Sequence, residues 1–384
     1  MKCTVRNVRI RLCIGCWNVG WGEATVMGVP LTGEAVVVDF GTSVHTFGSL
    51  SVRYACSRAR SFVKGYGSIV CYITHLHYDH YSLLPFVLGG ARIDELLLPG
   101  IPGPREVAEK VLFLLASEVA VLRLSGSAVL GKLAKGVRST SVVYRGMVVD
   151  HGYGVKARIL WPPLTLPPSI AEHVKAKLAP VYERAKELIK KADLERHVKE
   201  YVKELSTLYV PEPSSEEPIR VEVPEALPTY ALKEGIGYPT KQRGLVAFLH
   251  RVGEAINDMS LIIKFYLGDC SWGLVPGDNS DMILDYLAEI ETGDFRLNPL
   301  EKHLLFLRGA HHGTYYGEFI GMHRARVAWL SWTRCLPAPP RGEYMGVAGA
   351  CLLAENIDEV RVYGRSCWLA PGAGLHVELI ERWI

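Results

Sequence analysis

Six consecutive residues, His75-Leu76-His77-Tyr78-Asp79-His80, put three imidazoles and a carboxylate directly after an apolar strand-like run, Ser68-Ile69-Val70-Cys71-Tyr72-Ile73-Thr74. Side chains at the mouth of a strand can converge on one point. This nitrogen and oxygen donor set suits Zn²⁺, Mn²⁺ or Fe²⁺. The spacing can serve two adjacent ions, His75 and His77 on one, Asp79 and His80 on the other. Two such ions can clamp the oxygens of a displacement at phosphorus or carbon. Two later strand ends carry compatible groups. Asp278 follows Trp272–Val275 in Pro276-Gly277-Asp278-Asn279, where a carboxylate can bridge two metals. Taken alone it reads as an ordinary turn residue after Pro-Gly. His311 and His312, in Arg308-Gly309-Ala310-His311-His312-Gly313, can add one more ligand and a substrate or supporting contact.

The surrounding pattern supplies strands and helices to hold these groups. Strand-like runs cover Val8–Trp17, Ala24–Val29, Ala35–Val38, Ser141–Val149, Val155–Trp161, Leu245–His250, Ser260–Tyr266, Trp272–Val275, Leu304–Leu307 and Val327–Trp332. Helical patterns cover Val52–Lys64, Ser82–Leu88, Pro104–Leu124 and Asp281–Ile290, with others near Tyr316–Arg324 and Gly346–Asn356. Strands grouped in each half, with helices between, predict an α/β (α+β) chain built as an αββα sandwich. A charged stretch from about 170 to 208 and a Pro/Glu-rich stretch over Pro211–Gly244 have no motif of their own. Residues 168–244 therefore read as an insertion, charged helices followed by an extended segment, into a single domain spanning 1–384.

The 384 residues carry a net charge of +3, too small to argue for nucleic acid by itself. Glu118 and Arg123 interrupt the apolar run Val111–Leu124, so it reads as a buried helix and no segment as a membrane span. The first residues show no apolar signal core, and the nine cysteines lie scattered in apolar runs, so reduced thiols and a cytoplasmic location are expected. Cys13-Ile14-Gly15-Cys16 lacks the second pair that a zinc site would need.

The cluster HLHYDH resembles the HxHxDH signature of metallo-β-lactamase-fold hydrolases. Asn18–Ala24, Val38-Asp39-Phe40-Gly41, Trp161-Pro162-Pro163, Asn257-Asp258-Met259-Ser260-Leu261, Val275–Asp278 and His311-His312-Gly313-Thr314 are similar in order to motifs of one branch. That branch includes the soluble domain of the DNA-uptake protein ComEC. The resemblance implies a four-layer fold and a metal-dependent phosphodiesterase or nuclease using a metal-activated water on DNA or RNA. It implies His75, His77, Asp79, His80, Asp278 and His311 as ligands of two divalent ions, Zn or Mn. Asp79 and His312 would be catalytic. Asp39, Asn257 and Ser260 would support the site.

Departures matter. Asn18 and Glu23 stand where the branch has aspartates, no histidine stands near Trp161-Pro162-Pro163, and Glu343-Tyr344-Met345-Gly346 replaces a later motif. His151 is the nearest candidate for the missing ligand, so the two metal positions are expected to be unequal, one only partly ligated by protein. Nucleic acid is the expected partner. The insertion is a candidate arm for a protein partner. A nuclease cleft would gather cations such as Arg53, Arg58, Arg60, Lys241, Arg243 and Arg308. Two alternatives stand beside this reading. One is a metallohydrolase of a small ester, thioester, lactone or phosphate. The other is a non-catalytic binding module retaining the fold.

Overall fold

The computed structural model describes residues 10–17, 19, 22–42, 50–88, 91–124, 136–206, 209, 218–221, 243–268, 270–297, 302–331, 339–356, 359–363 and 374–381. The chain is mixed α/β. Its strands, in order, are β1 (Ile10–Trp17), β2 (Ala24–Val29), β3 (Glu34–Phe40), β4 (Ser68–Tyr72), β5 (Ile93–Pro99), β6 (Val137–Val143), β7 (Val148–Asp150) and β8 (Val155–Trp161). They continue as β9 (Ile219–Val221), β10 (Ile262–Leu267), β11 (Cys270–Val275), β12 (His303–Arg308), β13 (Arg324–Ser331), β14 (Ala348–Asn356), β15 (Glu359–Tyr363) and β16 (Gly374–Glu381). Two mixed eight-stranded sheets result, ordered β16-β1-β2-β3-β4-β5-β6-β9 and β15-β14-β13-β12-β11-β10-β8-β7.

Each sheet has a parallel centre, β3 to β6 in one and β11 to β14 in the other. Parallel strands are covered on both faces and read as continuous apolar runs. β4 illustrates this, since Ile69-Val70-Cys71-Tyr72 are all buried. The sheets meet through buried side chains. Tyr72 of β4 lies edge-on to Phe265 of β10 at 6.2 Å, and Arg308 of β12 reaches Asp39 of β3. Parallel strands that point the same way bring their C-terminal ends to one rim. Loops at such rims are where open α/β sheets bind ligands.

The helices are α1 (Leu50–Val63), α2 (Tyr78–Tyr81), α3 (Leu84–Leu88), α4 (Arg105–Leu124), α5 (Pro168–Lys191), α6 (Glu195–Leu205), α7 (Arg243–Ile256), α8 (Asp281–Leu297), α9 (Glu318–Gly321) and α10 (Tyr344–Val347). Several expectations need correction. The run Leu245–His250, read as a strand, is part of α7. Its pattern continues as buried Phe248, Val252, Ala255 and Ile256, a three-to-four-residue period that a strand cannot bury on one face. The helix expected over Gly346–Asn356 is largely β14, because pairing with β13 and β15 overrides the helical preference of its Ala and Leu residues. The helix read over Ser82–Leu88 is broken. Ser82 Oγ donates to the Thr42 carbonyl and the Leu83 amide to Phe40, which ends α2 and delays α3 to Leu84. Near Tyr316–Arg324 only α9 forms, and Arg324 already begins β13. Cys13 and Cys16, three apart in β1, point to opposite faces and form no disulfide with each other; both are buried.

The charged stretch folds as α5 and α6, which pack with α4 and α7. From the Pro/Glu-rich stretch, Ile219–Val221 adds the edge strand β9 beside β6; most of the rest lies outside the described residues. Buried Asp258 anchors α5 to the body. Its carboxylate accepts from Lys177 Nζ at 2.6 Å and from the Ser280 amide at 2.9 Å, and it lies 3.4 Å from His173 Nε2. Its backbone carbonyl accepts from Trp161 Nε1. No described helix is long and apolar enough to cross a membrane.

Burial alone would raise the Asp258 pKa, but His173, Lys177 and the Ser280 amide hold it below its ordinary 3.8. A carboxyl with a depressed folded pKa contributes stability that is complete above the ordinary value and lost as pH falls through the folded one. Asp258→Asn is therefore expected to lower stability by roughly 1–3 kcal/mol near neutral pH. In urea titrations the gap from wild type should narrow as pH falls below the ordinary carboxylate range.

Candidate metal centre

The sequence-predicted groups meet at the strand-end rim. His75, His77, Asp79 and His80 follow β4, Asp39 ends β3, Asp278 follows β11, and His311 and His312 follow β12. Backbone bonds join these loops. The His311 amide donates to Gly277 O at 3.0 Å, and the Leu261 amide to Thr74 O at 2.7 Å. Gly41 lets β3 pass the α2 backbone, since a Cβ there would lie 2.3 Å from the Asp79 carbonyl. Asp39, His311 and His312 all take positive φ, 53°, 44° and 60°. Non-glycine residues rarely hold that strained region unless the surroundings impose it, and such residues cluster at functional sites.

Asp39 is the hub. One oxygen accepts from the Thr74 amide at 2.7 Å. The other accepts from Thr74 Oγ1 at 2.8 Å and Arg308 Nη2 at 2.7 Å, and lies 3.0 Å from His80 Nδ1. An ionised carboxylate only accepts, so His80 donates from Nδ1 and leaves Nε2 with its lone pair. Although burial would raise it, His80 and Arg308 hold the Asp39 pKa at about 2.

Two overlapping donor groups result, His75/His80/Asp278 and Asp79/His80/His312, each with its ligand atoms within 4.8 Å of one another. His80 Nε2 lies 3.4 Å and His75 Nε2 4.0 Å from Asp278 Oδ2. His312 Nε2 lies 3.5 Å from Asp79 Oδ2. On its other side His312 Nδ1 meets Ser331 Oγ at 3.2 Å and Glu23 Oε1 at 3.3 Å, and Ser331 donates to Glu23 at 2.7 Å. His75 Nε2, His80 Nε2 and Asp278 Oδ1 are buried with no hydrogen-bond partner. Leaving such atoms unpaired costs about 1–3 kcal/mol each, so two orphaned imidazole nitrogens beside a buried carboxylate fit a cation that satisfies them.

The charges agree. Burial and the neighbouring His80 push His75 well below the ordinary histidine range, leaving it a neutral ligand. Against the burial effect, Asp278, Asp39 and Asp79 push His80 well above that range, so three carboxylates draw positive charge to this ring. His80 in turn holds Asp278 well below the carboxylate range despite its burial. His77 and His80 do the same for Asp79. Burial opposes protonation of His312, yet Asp79 and Glu23 raise its pKa to about 10.

The remaining candidates sit nearby. His77 lies outside both groups, its Nδ1 2.8 Å from Asp79 Oδ1. His311 is at the rim, 19% exposed, 3.8 Å from Asp278 and stacked on Tyr315 at 4.7 Å. Ser260 Oγ donates to the Asn257 carbonyl, and Asn279 Nδ2 to the Ser260 carbonyl; Asn257 Oδ1 is buried without a partner. His151 is not brought to the donors. It bonds Tyr72 Oη at 3.0 Å and Glu34 at 2.5 Å.

Residue-type reasoning missed the structural roles of Glu23, Ser331 and Glu118. Glu118 had left a signal, as a lone acid inside an apolar helical run. It is buried on α4, where desolvation pushes it up to about 7, and it feels the charges of His77 and Asp79. Of the cations considered for a nucleic-acid cleft, Arg308 is buried against Asp39 and Glu23, and Arg60 donates to the Phe86 carbonyl. Arg53 and Arg58 are exposed on α1. Lys241 and the Arg243 side chain lie outside the described residues. Neither a protein-family model nor a curated protein matches the chain.

Two outcomes follow from this packing. Arg308→Met strands the buried Asp39 and Glu23 carboxylates and is expected to cost about 3–5 kcal/mol, read by chemical denaturation. A Cβ on Gly253 of α7 would lie 2.5 Å from His77 Nε2. Gly253→Ala is therefore expected to shift the His77 ring resonances in ¹⁵N-histidine spectra and to cost about 1–3 kcal/mol.

Proposed function

We propose that this protein is a divalent-metal-dependent hydrolase, and that its sheets and helices form the four-layer αββα sandwich of the metallo-β-lactamase fold. One observation carries the reading. His75 Nε2 and His80 Nε2, buried and without hydrogen-bond partners on one sheet, come within 4.0 Å of the buried Asp278 carboxylate from the other sheet. A Zn²⁺ or Mn²⁺ ion held there supplies a Lewis acid that activates water and offsets charge developing on substrate oxygens.

The chain's own groups do the rest. Asp39 fixes the His80 tautomer so that Nε2 faces the donors. Glu23 and Ser331 orient His312 in the same way. Asp79, between His77 and His312, can switch partner and orient an attacking water. An imidazole nitrogen has a single lone pair, so the two donor groups cannot both be filled through His80 Nε2. We therefore infer one fully ligated ion and an unequal second position that draws on His77 and His311.

Phosphodiesters of DNA or RNA are the first substrate class, because the motif order resembles a nuclease-containing branch. The internal engagement of Arg308 and Arg60 favours a second class, small esters, thioesters or lactones, which need no basic groove.

Metal analysis of the purified protein, with hydrolysis assays on single-stranded DNA, RNA, a chromogenic phosphodiester and a nitrophenyl ester, tests the reading. Wild type is expected to retain Zn or Mn. Asp79→Ala and His80→Ala are expected to lose activity by about 100-fold or more. A wild type that binds no transition metal would sink the proposal. Activity on the ester alone would leave the metal centre and remove the nuclease.

A further inference from the structure

We propose that Glu118 is a positioning residue for His77, its carboxylate accepting the Nε2–H of that ring once Nδ1 turns from Asp79 to a bound cation. The inference rests on the metal reading above and adds a role for a residue outside the strand-end loops.

Glu118 is 2% exposed, the one acid in the apolar run Val111–Leu124, and its Oε2 is buried with no hydrogen-bond partner. A carboxylate in such a place is costly unless it is paired. The charged groups that bear on it are His77 and Asp79. His77 in turn counts Glu118 among the charges acting on it.

The geometry of the ring agrees. With Nδ1 against Asp79, the Nε2 edge of His77 faces α7, which packs on α4. Gly253 leaves that edge uncovered where any larger residue would collide with it. Nε2 therefore faces α7, and Glu118, on the helix that packs against α7, carries a buried acceptor without a partner.

The site already contains this device once. His80 donates from Nδ1 to Asp39 and keeps Nε2 for the donor group. A ligating histidine generally donates its second nitrogen to a carboxylate or carbonyl, which fixes its tautomer and raises its basicity. Glu118 supplies the same service from a helix that Asp39 supplies from a strand, with the two ring nitrogens exchanged.

The test uses the full chain and Zn²⁺ alone. Zinc affinity is measured by competition with a chelating dye for wild type, Glu118→Gln and Glu118→Leu, with folding checked by circular dichroism. ¹⁵N-histidine spectra of the zinc-loaded proteins report the His77 Nε2–H. Glu118→Leu is expected to weaken zinc about 10–100-fold and to lose the protected Nε2–H signal. Glu118→Gln, which keeps an acceptor oxygen, is expected to fall between. If Glu118→Leu does not fold, Glu118→Gln must still show a weakened affinity with an altered Nε2–H signal. Variants that bind zinc as tightly as wild type, with the signal intact, overturn the role of Glu118 and leave the metal centre standing. A wild type that binds no zinc overturns both.

Discussion

The buried carboxylate of Asp39 is the contact on which the rest of the centre depends. It ties the Thr74 turn to β3, fixes His80, and neutralises Arg308 from the other sheet. Four donated or paired contacts on two oxygens explain how a fully buried acid stays ionised. They also explain the positive φ at Asp39, since the backbone must turn sharply for one side chain to face three elements. Remove this acid and Arg308 is left charged within the core, while His80 is free to adopt the wrong tautomer.

The parts of the site that lie together in the chain were legible without coordinates. His75 to His80 follow an apolar strand, and the geometry of a strand mouth is local. Asp278 and His311-His312 were legible because they too follow apolar strands. What pairs across the molecule was not. Arg308 meets Asp39 across 269 positions of sequence, and Ser331 meets Glu23 across 308. Arg308 read as a candidate for a basic cleft because residue type gives charge and not the partner. Glu118 read only as an interruption of an apolar helix, since its neighbours His77 and Asp79 arrive from a different element.

The elements show the same division. Two strands, Ala24–Val29 and Val155–Trp161, have the bounds their pattern suggests. Leu245–His250 failed because a short apolar window fits either period, and only the continuation to Ile256 separates them. Residues 348–356 failed for the opposite reason. Their local preference is helical, and the neighbouring strands decide otherwise.

The donors are shared between two sheets. His75, Asp79 and His80 move with the sheet of β4, while Asp278 and His312 move with the sheet of β11 and β12. Ligand distances in a metal site are set to within about 0.2 Å. A slip between the layers far too small to melt either one would therefore detune the centre. The spacing of the donors acts as a gauge of how tightly the hydrophobic seam is closed, and a methylene removed from that seam far from any histidine is felt at the rim.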